Sequence, residues 1–275
     1  MELEALLNYP RALPAMPRAV SDLLVEMNRE DPSPKRVYEL IGRDPALTTR
    51  VLRLSNSAFF RVSRKIGSAD EAVALLGMTH TRSLVMAAAL GGSFKNVPGI
   101  DLKQFWRYSL QAAEIARSLS ETLHQNQSGA FTAGLIHAIG ILVMHIAMPD
   151  RMAPLDLSTS PLDFNRAAAE KAALGYCYAE VGAGLVERWQ FPVEMVSALA
   201  NQISPFEGEA YDPLAGVLHL ASWRARAQEL QLDDNGLAAT FPDMVGLTLG
   251  LELDSVLGKD PSEWSISQAL GAFIG

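Results

Sequence analysis

An all-α fold is predicted by three observations. Helix starts made of a cap residue and proline recur along the chain, period-two strand patterns are scarce, and the connections between apolar-periodic segments are mostly short. Ser33-Pro34 places a side-chain acceptor before a proline whose fixed φ suits the first helical turn, which predicts a helix over Pro34–Gly42. Asp44-Pro45 repeats the device for the segment ALTTRVLRLSNSAFF. There, Leu47, Val51, Leu52 and Leu54 supply an apolar stripe, and Asn56-Ser57 offer partners to backbone groups at the helix end. Ser68 followed three residues later by Glu71 has the form of a capping box, and Gly77 closes that short helix. Asp101 caps an amphipathic stretch that runs to about Leu123.

From Gly129 to Pro149 the chain reads GAFTAGLIHAIGILVMHIAMP, with no formally charged residue if histidine is neutral. The segment is long enough to span a bilayer. It contains His137 and His145, however, and lacks aromatic and basic anchors on both sides, so a single central helix buried on all faces is expected. Asp163 opens FNRAAAEKAALG, which Gly175 ends, and the next helix runs from about Tyr176 to Trp189. VEMVSALANQ forms another, and Asp212-Pro213 starts one that reaches about Leu230. LDDNG, Leu232 to Gly236, marks a turn before a C-terminal extension. Soft subdomain boundaries fall at VPGI near residue 97 and between Ser204 and Tyr211.

Composition narrows the function classes. Half of the 275 residues are apolar (49%) and 20% are charged, which suits a globular chain and excludes general disorder. The formal charge of −8 argues against a dedicated nucleic-acid binder. Cys177 is the single cysteine, so neither an intramolecular disulfide nor a cysteine zinc cluster is available, in keeping with a cytoplasmic location. With no paired Cys and no clear His/Asp partner set, Cys177 reads as a buried small apolar residue. The acidic N-terminus MELEALLNYP lacks the pattern of a secretory signal. Gly91-Gly92 follows a helix and lacks the lysine spacing of a phosphate loop.

One local charge imbalance runs against the net charge. Arg43, Arg50, Arg53, Arg61, Arg64 and Lys65 stand against Asp44 alone, and Arg43 and Arg50, seven apart, are expected to share a helix face. Either this is a solvated face with local ion pairs, or it is a surface for an acidic partner protein or a phosphorylated domain.

Three stretches carry a resemblance. LPAMPRAVSDLL is followed by IGRDPALTTRVLRLSNSAFF and KIGSADEAVALLGMTHTRSLV; the second stretch is FWRYSLQAAEIARSL; the third is AGLIHAIGILVM with GYCYAEVGAGLVERWQFPVEMVSALANQISP. They resemble the HDOD family, degenerate relatives of the HD phosphohydrolases, over roughly residues 10–207. What the resemblance implies is an HD-domain-like helical bundle from about residue 101 with an N-terminal helical subdomain up to about residue 97. Residues 208–275 would then supply a final bundle helix and the C-terminal extension.

HD enzymes hold metal ions with imidazole and carboxylate ligands converging from several helices, and the ion acidifies a water for attack on phosphorus. At the positions that match those ligands this chain has Tyr108, His137-Ala138 in place of His-Asp, Tyr178, Asn201-Gln202 in place of His-His, and Ser222. Only His137 survives. The expectation is therefore a chain with no catalytic residue, no metal and no cofactor, a residual metal-dependent phosphohydrolase being the last alternative. Those seven positions either satisfy one another across the old site or line a polar pocket for a small ligand, a cyclic dinucleotide being the first guess. The resemblance further implies a cytoplasmic signal-transduction output or adaptor domain. Its partners would be signalling proteins with receiver, kinase or nucleotide-signalling domains.

Overall fold

The computed structural model describes residues 1–9, 18–27, 29–56, 62, 64–94, 96–207 and 211–258, and all regular structure among them is helical. They divide into two compact units. One holds the described residues between Pro14 and Lys95; the other holds residues 1–9 together with those from Asn96 onward.

The first of these is a four-helix unit: α2 (Arg18–Met27), α3 (Pro34–Gly42), α4 (Pro45–Ser55) and α5 (Ala69–Ser93), numbered after α1 (Leu3–Leu7) of the other unit. Its starts are made by the caps expected from sequence. Ser33 accepts from the Arg36 N–H, Asp44 from those of Ala46 and Leu47, and Ser68 from that of Glu71. Glu71 reaches back to the Gly67 N–H at 2.7 Å, which closes the box one residue earlier than its usual form. The apolar stripe of α4 is buried at Leu47, Val51 and Leu54 and half-buried at Leu52; α4 packs on α3 and α5, whose Leu40, Ile41 and Val73 are buried too. Asn56 clamps the following loop, accepting from the Ile66 N–H and donating to the Ile66 carbonyl, both at 2.7 Å. Ser57 and Arg61 lie outside the described residues. Gly77 closes the first, short helical segment of α5, as expected. It takes φ 71°, ψ 169°, and the helix resumes beyond this kink, because a glycine can hold that conformation without a Cβ clash.

The second unit is built from α1, α6 (Leu102–Thr122), α7 (Gln127–Ile136), α8 (Ile139–Ala147), α9 (Pro149–Ser158), α10 (Arg166–Leu174), α11 (Tyr178–Arg188), α12 (Val193–Asn201) and α13 (Pro213–Glu229), followed by α14 (Asp234–Thr240), α15 (Asp243–Leu249) and α16 (Leu253–Leu257). The long helices α6 and α13 pack on each other and on α7. Asp101 and Asp212 cap α6 and α13 as expected, each taking two backbone N–H groups.

Several expectations are corrected here. The apolar segment 129–149 is two helices, α7 and α8, broken at His137-Ala138. Gln127–Ala147 passes as a membrane span by length and hydropathy, yet 89% of that window is buried inside the protein. Asp163 does not start α10: its carboxylate accepts from the Asn165 N–H and shapes the turn before it. LDDNG is a helix start rather than a plain turn, since Asp233 caps α14 through the Gly236 N–H. Helix α9, with Pro154 inside it, has no counterpart in the sequence expectations.

The break between α7 and α8 is fixed by close backbone approach. A Cβ on Gly140 would lie 2.0 Å from the Tyr178 carbonyl oxygen, and one on Gly134 would lie 2.7 Å from Ala113 Cα. Both neighbours are backbone, which cannot rotate away. Gly140→Ala is expected to cost about 3 kcal/mol or more in chemical denaturation, whereas Gly175→Ala, which meets open space but sits at positive φ, should cost about 1 kcal/mol. Equal losses would contradict the packing described.

Candidate functional site

The α7–α8 break exists where α6, α11, α12 and α13 converge, and four of the residues singled out from sequence meet there. The Tyr108 hydroxyl on α6 donates to His137 Nε2 at 2.7 Å, while His137 Nδ1–H donates to the Gly134 carbonyl at 2.6 Å. The rings of Tyr108 and His137 meet edge to face, 4.9 Å between centroids. Gln202, after α12, donates through Nε2 to the His137 carbonyl at 2.9 Å. Tyr178, at the first turn of α11, is fully buried with them. Ala138 is buried in the turn and contributes only a methyl group.

Two participants are absent from the sequence expectations. Arg226 on α13 inserts its guanidinium between the tyrosines, 5.8 Å from the Tyr108 ring centroid and 5.6 Å from that of Tyr178, and donates to the Tyr178 hydroxyl at 2.6 Å. It is buried, and no carboxylate among the described residues lies within 4.0 Å of it. Its charge is held by two aromatic faces and by tyrosine oxygen. His219, one turn before Trp223, donates through Nδ1–H to the Gln202 carbonyl at 2.8 Å and braces the end of α12.

Asn201 and Ser222 do not join the cluster by any bond described. Asn201 donates to Ser197, which in turn donates to Asp212, and Ser222 returns its hydroxyl to the His219 carbonyl. Arg226, four residues beyond Ser222, is the α13 side chain that reaches the tyrosines.

The electrostatics follow from burial. Desolvation, with a contribution from the charge on Arg226, pushes His137 down to about 3, against the pull of the Gly134 carbonyl. Burial raises the Tyr108 and Tyr178 hydroxyls above their ordinary value against the opposing charge of Arg226. At neutral pH the cluster is the neutral imidazoles of His137 and His219, two neutral phenols, an amide and a guanidinium. Such a set does not fit a divalent metal. It offers no carboxylate, both nitrogens of His137 are engaged, and a fixed cation occupies the interior. Among the described residues there is no group of three or more His, Cys, Asp or Glu able to hold an ion.

A second buried network adjoins the cluster. Arg166, fully buried, pairs with Glu170 and Asp156 at 2.7 Å each and donates to the Thr159 carbonyl at 2.6 Å. Asp156 also faces His145 Nε2 at 3.0 Å, and Glu170 accepts from the Tyr178 N–H at 2.7 Å. Tyr178 is therefore anchored at its backbone by Glu170 and at its hydroxyl by Arg226. Cys177, the residue before it, is buried, and desolvation pushes its thiol up to about 12. A thiol so placed is a poor nucleophile.

The basic run belongs to the four-helix unit. Arg43, Arg53, Arg64 and Lys65 are exposed; Arg50 is half-buried and donates to the Ala88 carbonyl. Arg64 pairs with Glu71 at 2.9 Å. Arg43 and Arg50 do not share a helix face, because Arg43 ends α3 and Arg50 belongs to α4.

A family model, the HDOD domain, matches residues 13–205. A crystal structure from Shewanella amazonensis, of a protein provisionally called a phosphohydrolase, is 31% identical, covers 99% of this chain and 98% of that one, and superposes with a TM-score of 0.83. An HDOD domain protein of unknown function from Geobacter sulfurreducens is 21% identical over 95% of this chain and 92% of its own, with a TM-score of 0.77. An uncharacterized protein of Treponema pallidum is 23% identical over 78% of this chain, which spans 42% of that protein's length.

Proposed function

Because the chain belongs to the HDOD domain family, we propose that it is a non-catalytic signal-transduction output or adaptor domain that acts through protein–protein contacts. The observation that carries the non-catalytic part is Arg226. A charged guanidinium lies among the residues that match the metal-ligand positions of the HD enzymes, and Tyr108, His137 and Tyr178 spend their hydrogen-bonding groups on one another, on Arg226 and on the backbone. The provisional name of the Shewanella protein points to phosphate-ester hydrolysis; the donor set of this chain supports the opposite reading.

The test is metal content and turnover together. Purified full chain, with Mn²⁺, Fe²⁺ or Zn²⁺ supplied, is expected to retain far less than one ion per chain and to leave bis(p-nitrophenyl) phosphate intact. A stoichiometric ion, or hydrolysis abolished by His137→Ala, would overturn the proposal. For the adaptor part, the exposed cations Arg43, Arg53 and Lys65 support an acidic partner surface on a signalling protein. Co-purification of a receiver, kinase or nucleotide-signalling protein from the host should be lost when these three are changed to Glu.

A second reading, a nucleotide sensor at the same cluster, draws support from two buried atoms. Among the described residues, Gln202 Oε1 and Arg226 Nε have no hydrogen-bond partner, which leaves an acceptor and a charged donor for a ligand. Saturable binding of a cyclic dinucleotide in calorimetry, lost in Tyr108→Ala, would favour it.

A further inference from the structure

A cleft of about 310 Å³ opens between the first turn of α6, the turn after α9 and the end of α13. That volume lies at the small end of the range for metabolite sites. Ile100, Phe105 and Leu162 give it apolar walls, and Asp101, Gln104 and Glu229 are the polar side chains that matter to its chemistry. Glu229 is the unusual one. Its side chain is only 3% exposed, yet it lines the cleft, and its carboxylate is held in a fixed orientation by Arg107 (2.6 and 2.5 Å) and Gln104 (3.3 Å). These three bonds take three of the carboxylate's about four lone-pair positions and leave one, on Oε1.

The sign of the cleft is set by its surroundings. No Lys or Arg lines it and two carboxylates do, Glu229 already paired with Arg107 and Asp101 accepting the N–H groups that start α6, so the wider charge of the unit decides the sign. The unit that contains it has twenty Asp and Glu against nine Lys and Arg among its described residues. Such a field repels anions and concentrates cations. We propose that this cleft is a binding site for a small organic cation, an amine or amidine with a compact apolar body. Its charged N–H groups meet Glu229, and its body lies against Phe105, Ile100 and Leu162.

The cleft is also mechanically joined to the Tyr108–Arg226 cluster. Gln104 is one turn from Tyr108 on α6, and Glu229 is one turn from Arg226 on α13. Thr159, beside the cleft turn, is held by Arg166, whose partner Glu170 anchors Tyr178. The site does not depend on the chain being non-catalytic, and metal in the preparation would leave it untouched.

The probe is benzamidine, titrated into the full chain by calorimetry beside benzoate and benzyl alcohol, which share its shape and differ in charge. Benzamidine is expected to bind one to one with a Kd of about 1 mM or tighter, and the other two to bind at least about tenfold more weakly. Glu229→Gln should weaken benzamidine by a similar factor. Since that change also leaves Arg107 unpaired, Leu162→Trp serves as the second variant, filling the cleft while Glu229 keeps its clamp; it should abolish binding. Benzoate or benzyl alcohol binding as tightly as benzamidine, binding unaltered by Leu162→Trp, or no saturable benzamidine binding to the wild-type chain would each overturn the proposal.

Discussion

Arg166→Ala is expected to remove about 3–5 kcal/mol of folding stability. Arg166 is fully buried and faces two carboxylates, Glu170 with no exposure and Asp156 with little. Taking the guanidinium away leaves Glu170 as a buried charge whose remaining support is one backbone N–H, that of Tyr178. Burial already pushes the Glu170 carboxyl above its ordinary range, with Arg166 pulling the other way. Without Arg166 the carboxyl takes up a proton at still higher pH. The variant's loss should therefore be greatest near pH 8 and shrink as the pH falls through the raised Glu170 value. Urea denaturation of wild type and variant at several pH values measures both features. A loss under about 1 kcal/mol, unchanged with pH, would refute the network.

Acid should destabilise the chain through His137. In the folded protein its imidazole titrates at about 3, chiefly because it is buried and also because Arg226 stands near; unfolded, it returns to about 6.5. Between those values the unfolded state binds the extra proton. The stabilisation is complete above about pH 6.5 and is lost progressively as the pH drops toward 3. From pH 7 to pH 4 the contribution amounts to about 3 kcal/mol. His219, also lowered mainly by burial, adds to it in the same direction. Glutamine at 137 has no proton to gain, so the acid slope of His137→Gln should be visibly flatter. If both proteins lose stability in parallel over this interval, His137 is not the group responsible.

Much of the helical frame was legible because capping is local. Ser33, Asp44, Ser68, Asp101 and Asp212 each make the N–H bonds that their positions before a periodic segment foretell. The break at His137-Ala138 was not, for neither residue is a helix breaker. The interruption comes from the near contact of Gly140 with the Tyr178 backbone, a tertiary event 38 residues away in sequence (178 − 140). The shared face of Arg43 and Arg50 failed for a reason present in the sequence itself, since the Asp44-Pro45 start of α4 stands between them.

The cluster was half legible. Tyr108, His137, Tyr178 and Gln202 could be placed through the motif positions they occupy, and the structure brings their helices together. Arg226 matches no such position. In WRARAQ it reads as one of two ordinary basic residues on a helix, and only the approach of α6 and α11 turns one of them inward. Spacing offered one clue: Arg226 follows Ser222 by four residues, the interval that keeps a helix face.

Arg226 also differs in kind from an ion at the same place. Its charge is installed when the chain is translated, one per molecule, and no chelator can strip it. It has no second oxidation state, so neither oxygen nor peroxide can cycle it, and its affinity for the proton keeps it ionised across the whole range in which the protein is folded. The tyrosines and the α13 helix around it are held in register regardless of how much iron, manganese or zinc the surroundings supply.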